Sequence, residues 1–208
     1  MKVLMINGSP REKQCTYTAL SIMAERFAEL GIETEIVQLG NGPIRDCIAC
    51  RKCRERDDGK CVLDGDIINE IIEKAKSADG FVFGSPVYYS HPSGRILSVL
   101  DRVFFAGTEA FAFKPGAAIV SARRGGNSAS FDVLNKYFTI AQMPVATSTY
   151  WNMVHGNTPE EVMQDAEGVQ TMKNLASNMA WMMRCIEAGK AQGIEHPENP
   201  EIATNFIR

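Results

Sequence analysis

The sequence predicts an α/β domain built on a parallel sheet with helices on both faces. Two observations carry this. Short apolar runs alternate with helix-period stretches along most of the chain. The clearest runs, Val3-Leu4-Met5-Ile6 and Phe81-Val82-Phe83, are apolar throughout, as in strands covered on both sides. Strands separated by helices pair in parallel, with the crossovers packed on the two faces.

The first strand, Val3 to Ile6, gives way to Asn7-Gly8-Ser9-Pro10-Arg11. Ala19, Leu20, Met23, Phe27 and Leu30 then recur at helical spacing. Glu33 to Leu39 reads as a second strand. Asp64 or Asp66 can cap a helix bearing Ile67, Ile68, Ile71, Ile72 and Ala75. The third strand ends at Gly84. Pro92 is expected to open a helix with Ile96, Leu97, Leu100, Val103 and Phe104 facing inward. Ala117 to Val120 is the fourth strand, and Phe131, Leu134, Phe138 and Ala141 mark the next helix. Val145 to Thr149 is the expected fifth strand. Thr158-Pro159-Glu160-Glu161 starts a helix running to about Ala188, which Gly168 is expected to break. Residues 190–208 form a tail, and Ile202, Phe206 and Ile207 suit contacts with another subunit.

At 208 residues the chain is long enough for one domain with a substantial core. A net charge of −3 offers no basic footprint for nucleic acid. No apolar run approaches the ~20 residues of a membrane span, and none resembles a signal peptide. Six cysteines then read as thiols or metal ligands in a cytoplasmic protein.

In a parallel sheet the ligand sits at the carboxyl ends of the strands. The loops expected there are 7–16, 84–91, 121–127 and 150–156. The first is a strand–turn–helix unit that delivers N–H groups and a helix N-terminus to one point, where phosphate binds well. An ordinary polar turn fits the spacing equally. It lacks the glycine and lysine pattern of a nucleotide-triphosphate loop and the glycines of an ordinary dinucleotide fold. In the second, Tyr88 and Tyr89 suit stacking on a flat ring or covering the sheet end. Together the two loops point to a ligand with a phosphate at one end and a planar ring at the other.

The segments GSPR…T at Gly8–Thr16, GSPVYYS at Gly84–Ser90 and LDR at Leu100–Arg102 resemble the NADPH-dependent FMN reductase and iron–sulfur flavoprotein group. The resemblance runs to about Ala188. It implies a three-layer flavodoxin-like fold, with five parallel strands in the order 2-1-3-4-5. It implies an FMN-binding domain over residues 1–189, with residues 40–63 a cysteine-containing insertion. The FMN phosphate falls to Ser9, Arg11, Cys15 and Thr16. Cys15 departs from the Asn or Ser common in the family, and Glu12-Lys13-Gln14 stands where Gly or Asn is expected. The flavin ring and ribityl chain fall to Pro86, Val87, Tyr88, Tyr89 and Ser90, with Ser121, Arg123, Arg124, Gly125 and Gly126 along the other edge. Arg123 or Arg124 suits the flavin pyrimidine edge or the NADPH phosphate, as arginine forks fit phosphate. Tyr150, Trp151 and Asn152 either close the ring pocket or cap the sheet.

Cys47, Cys50, Cys53 and Cys61 form C-x2-C-x2-C-x7-C, close to a ferredoxin-type run. The motif also resembles the compact motif of iron–sulfur flavoproteins, which implies a [4Fe–4S] cluster. Zinc on four thiolates, or bare thiols, are the other readings. Cys185 is expected in the core. His91, His155 and His196 are expected to be surface histidines. The methionines at 172, 179, 182 and 183 are expected to be packing residues.

The resemblance implies an NAD(P)H oxidoreductase that passes electrons through FMN to a small-molecule or protein acceptor. The flavin carries the chemistry, so no side chain is assigned as a catalytic acid or base. The alternative is a relay between protein partners through FMN and the cluster. The family implies a homodimer or homotetramer.

Overall fold

The computed structural model describes every residue except Asp57, Glu201, Asn205, Ile207 and Arg208. Ile207, expected at a subunit contact, therefore lies outside the described residues. The chain runs β1 (Lys2–Asn7), α1 (Cys15–Glu29), β2 (Glu33–Gln38), α2 (Lys52–Arg56), α3 (Ile68–Lys76), β3 (Gly80–Tyr88), β4 (His91–Pro92), α4 (Gly94–Gly107), β5 (Gly116–Ala122), α5 (Asn127–Ile140), β6 (Met153–His155), α6 (Pro159–Gln164) and α7 (Ala166–Ala191).

The parallel sheet has the order β2-β1-β3-β5-β6, and β4 folds back antiparallel on the end of β3. Counting the parallel strands alone, this is the 2-1-3-4-5 order of the flavodoxin-like fold. Successive side chains of a strand point to opposite faces, so the apolar runs divide into two cores. Leu4, Ile6, Phe81, Phe83, Ala118 and Val120 pack with buried residues of α3, α4 and α5. Val3, Met5, Val82, Ala117, Ile119 and Val154 pack with those of α1 and α7. Aromatic rings dominate the first core. Phe83 stacks on Phe138 at 5.1 Å and meets Phe104 edge-on at 5.8 Å. A Cβ at Gly116 would lie 2.4 Å from the Phe138 ring, so the small residue on β5 makes the space that Phe138 fills.

Four expectations need correction. Val145–Thr149 is not the fifth strand; it touches the sheet through one bridge, Gly116 to Val145. The Ser148 hydroxyl then bonds to the Tyr150 carbonyl at 3.1 Å, a local alternative to the ladder. Pairing resumes at β6, where Val120 N–H donates to Asn152 O at 3.0 Å. Pro92 belongs to β4, and Ser93 caps α4 by accepting from Ile96 N–H. The long C-terminal helix breaks at Asp165 rather than Gly168. Asp165 ends α6 and caps α7, its Oδ1 accepting from Gly168 N–H at 2.9 Å. Cys185 is exposed on α7, whose buried stripe carries Met172, Met179 and Met183.

Asp66, a candidate cap for α3, accepts from Ile68 N–H at 3.3 Å. No helix among the described residues is long and apolar enough to cross a membrane. Phe138→Ala is expected to cost about 3–5 kcal/mol, because it empties the space between Phe83 and Gly116. Chemical denaturation checks this, and a loss below 1 kcal/mol would show that the core collapses around the gap.

Candidate functional site

The turn after β1 is fixed by close approach to β3. Gly8 N–H donates to Gly84 O at 2.8 Å. A Cβ at Gly8 would lie 2.8 Å from that oxygen and 2.8 Å from Ile96 Cβ, so only glycine fits. Asn7 Oδ1 then accepts from Ser9 N–H (3.1 Å), and Ser9 Oγ from Arg11 N–H (3.2 Å). These short-range bonds turn the chain twice. Gln38 Nε2 ties Ser9 O to β2 at 2.7 Å.

The turn feeds α1, whose N-terminus, like that of α5, has no side-chain cap. Ser93, Thr158 and Asp165 cap α4, α6 and α7 with side-chain oxygens. Gln14 provides no such cap for α1, and its first turn holds no acidic residue. Among the described residues the first N–H groups of α1 therefore have no side-chain cap, an arrangement that suits an anion. The Cys15 thiol donates to Gly156 O at 3.6 Å, and burial pushes its pKa up, keeping it a neutral donor.

The second loop is a hairpin. β3 and β4 pair at Tyr88 and His91, joined by Tyr89 and Ser90 alone. Both have left-handed backbones (φ 52° and 60°), the requirement of a two-residue type I′ turn, met here without glycine or asparagine. The Tyr89 ring is fully exposed, and Tyr88 is 42% exposed. The third loop presses against this hairpin. Gly126 has φ 85°, and a Cβ there would lie 2.7 Å from Ser90 Cα and 2.9 Å from Val87 Cγ1.

Hydrogen bonds join the three loops. Thr16 Oγ1 and Ser121 Oγ lie 2.8 Å apart. Ser93 Oγ donates to Gly8 O at 2.8 Å, and Ser93 N–H donates to Ser85 Oγ at 2.9 Å. Loops 8–16, 85–91 and 121–126 thus form one edge where β1 and β3 diverge, the switch point of this sheet order. Within it Ser9, Thr16 and Ser121 are buried, and Cys15, Pro86, Val87 and Gly126 are half-buried. Arg11, Tyr88, Tyr89, Ser90, Arg123, Arg124 and Gly125 are exposed.

Two features differ from the sequence reading. Tyr150 and Trp151 precede β6, so they lie toward the start of that strand; the loop at its carboxyl end begins at Gly156. Asn127, absent from the sequence reading, opens α5 beside Gly126. It is buried, and its Nδ2 has no acceptor among the described residues. Its only signal in the sequence is an amide directly after a Gly-Gly turn.

The four motif cysteines line a small pocket of about 20 Å³, shared with Arg102 and Phe105. Ala49 and Arg51 flank Cys50 with φ of 52° and 59°, curling the chain between the first three thiols. Cys47 and Cys50 are exposed, while Cys53 and Cys61 are half-buried. Among the described residues, no three of His, Cys, Asp and Glu stand close enough to hold a metal ion. The motif thus brings the thiols to one cavity but not to ligating positions. Burial pushes the Cys53 thiol up. Arg102, quoted above only for its sequence motif, is almost fully buried here and donates from Nε to Cys61 Sγ at 3.4 Å. Its sequence signal is one arginine within the apolar stripe of α4.

Residues 1–158 match NADPH-dependent FMN reductase. The chain belongs to the NADPH-dependent FMN reductase family. It is 33% identical over 195 residues to an iron–sulfur flavoprotein of Methanocaldococcus jannaschii, covering 90% of this chain and 100% of that one. The solved structure of RosB with a bound 8-demethyl-8-formylriboflavin-5'-phosphate intermediate superposes with a TM-score of 0.68. The identity is 14%, over 100% of this chain and 92% of that one. A flavodoxin from the domain Archaea gives 0.59 at 12% identity, over 88% of this chain and 99% of that one. The fold is therefore flavodoxin-like, and the protein is a flavin-dependent oxidoreductase with FMN as its cofactor.

Gly126→Ala is expected to weaken FMN binding by about tenfold or more, since the backbone strain of ~1–3 kcal/mol must be relieved by parting two loops. Flavin fluorescence titration checks this; unchanged affinity would show that the hairpin and the third loop act independently.

Proposed function

We propose that the protein is an NAD(P)H-dependent FMN oxidoreductase passing electrons from a nicotinamide cofactor to a small-molecule or protein acceptor. The observation that carries this is the uncapped N-terminus of α1, tied by Thr16 and Ser121 to the loops that hold Tyr88, Tyr89 and Gly126. The site fits FMN on its own terms. It offers a helix N-terminus for the phosphate, a glycine-lined approach and the unpartnered Asn127 amide for an acceptor atom.

In this reading Ser9, Arg11, Cys15 and Thr16 hold the phosphate, mostly through backbone N–H groups. Pro86, Val87, Tyr88, Tyr89 and Ser90 hold the ring on one side, and Ser121, Arg123, Arg124, Gly125 and Gly126 border it on the other. When bound, FMN supplies the exchange between a two-electron nicotinamide donor and the acceptor. The protein's part is to bind, orient and leave one ring face open. The exposed guanidinium groups of Arg123 and Arg124 favour negative charge at that edge, whether on the reduced cofactor or on a nicotinamide phosphate.

A second reading is favoured by the cysteine cavity. Four thiols on one cavity, with a chain curled by Ala49 and Arg51, fit the donor set of a [4Fe–4S] cluster once the exposed Cys47 and Cys50 swing inward. Cys47, Cys50, Cys53 and Cys61 would then hold the cluster, and the protein would relay electrons between partners. Residues 1–189 act as the flavin domain, residues 40–63 as its cysteine insertion and the tail from 190 as a contact in a cytoplasmic homodimer or homotetramer. The tail lies with His196 stacked on Phe113 at 4.2 Å, and it leaves Ile202 and Phe206 exposed.

The deciding experiment is a visible spectrum of anaerobically purified protein with iron and sulfide assays on the same sample. Flavin near one per chain without iron supports the reductase. Flavin with about four irons per chain supports the relay. No flavin after FMN addition rejects both. Thr16→Ala is expected to weaken FMN binding by about tenfold, read by fluorescence titration, as the Thr16–Ser121 bond that ties the first loop to the third is lost.

A further inference from the structure

One stripe of α4 grips the cysteine insertion along its length. Arg95 Nη1 donates to Gly42 O at 2.6 Å. One turn on, Ser98 Oγ donates to Asp46 Oδ1. Arg102 follows, and then Phe105, whose ring carries the Arg54 guanidinium at 5.0 Å. These positions, 95, 98, 102 and 105, recur every three or four residues and so share a face.

Arg102 is the centre of this grip. Its side chain is inaccessible to solvent, and four of its contacts come from the insertion and the residues just after it. Nη1 donates to Arg45 O (3.1 Å) and to the Asp66 carboxylate. Nη2 donates to Leu63 O (2.5 Å), and Nε to Cys61 Sγ (3.4 Å). Asp66 balances the charge. The two carbonyls lie on either side of the cysteine run, so a single guanidinium closes the loop at its base. Asn69 completes the arrangement. Its Oδ1 accepts from Cys61 N–H at 2.8 Å, and its Nδ2 donates to Cys61 O at 3.0 Å. Cys61 is thereby fixed at backbone and sulfur, whereas Cys47 and Cys50 are exposed.

We propose that Arg102 is a positioning residue that closes the insertion and presents Cys61 as the preformed sulfur ligand, around which the other three thiols gather. Only a planar fork with several N–H donors can meet two carbonyls, a carboxylate and a sulfur at once; lysine, with one nitrogen, cannot. A cation hydrogen-bonded to a ligand sulfur also stabilises the more negative, reduced state of the centre and so raises its potential. The ligand role of Cys61 and this second consequence rest on the cluster reading; the closure of the loop does not.

The test compares full-length FMN-loaded wild type with Arg102→Lys, which keeps the charge, and Asn69→Ala, which releases Cys61 from the other side. Flavin content serves as the check of folding, since neither residue touches the flavin loops. Hydrogen exchange of residues 42–66 is expected to quicken by about tenfold in Arg102→Lys. After reconstitution with iron and sulfide, that variant is expected to retain less than half the wild-type iron and to show a lower midpoint potential. Unchanged exchange in Arg102→Lys, with iron bound as in wild type, overturns the clamp and leaves the cluster standing. Wild type that takes up no iron, with faster exchange in the variant, rejects the cluster and upholds the clamp. Should Arg102→Lys fail to retain FMN, Asn69→Ala decides. Slower iron uptake and faster exchange around Cys61 support the assignment of Cys61 as the fixed ligand, and no change in either overturns it.

Discussion

A charge removed from water must be surrounded by acceptors, and Arg102 imposes that requirement on one side of the molecule. Burial works against the guanidinium, but its bonds to Asp66 and Cys61 outweigh that cost and hold it charged. Meeting the requirement draws in an insertion that has almost no apolar residue of its own in the core. Through α4 the same constraint reaches the flavin edge. Ser93, nine residues earlier and so about 14 Å away along the helix axis, bonds Gly8 O at the first turn. One helix therefore holds both the turn after β1 and the cysteine insertion.

The flavin edge itself depends on absence of side chains at two points. Gly8 lets the first turn meet β3, and Gly126 lets the third loop meet the hairpin. With the loops in contact, Thr16 and Ser121 can share a hydrogen bond. Around them Tyr88, Tyr89, Arg123 and Arg124 are exposed, and Asn127 Nδ2 has no acceptor among the described residues.

Much of this was legible in the chain. The first, third and fourth strands announced themselves because both faces of the sheet are covered, leaving no polar position in the runs. The tight turn after β1 was legible because its bonds are local, between Asn7, Ser9 and Arg11. The last strand was not legible. Val145–Thr149 has the better strand composition, yet Met153–His155 pairs with β5, since Asn152 bonds to Ala118 and Val120. The local Ser148–Tyr150 bond turns the first segment aside, but the choice of the second is made by its pairing with β5. Pro92 misled for a related reason: proline suits both a first helical position and a strand edge, and only the partner across the hairpin selects one.

The sequence by itself determined the fold class, the strand order through its family pattern, the tight turn after β1 and the presence of four cysteines at close spacing. These are properties of periodicity and of short motifs, where the interacting groups are neighbours in the chain. The tertiary structure alone decided which loops meet, that Cys185 faces water, that Asn127 Nδ2 has no acceptor among the described residues and that Arg102 bonds both ends of the cysteine insertion. Each joins groups far apart in sequence, up to 57 residues for Arg102 and Arg45 and 105 for Thr16 and Ser121. Contacts of that range follow from how helices pack on a sheet, and no local pattern of residues encodes them.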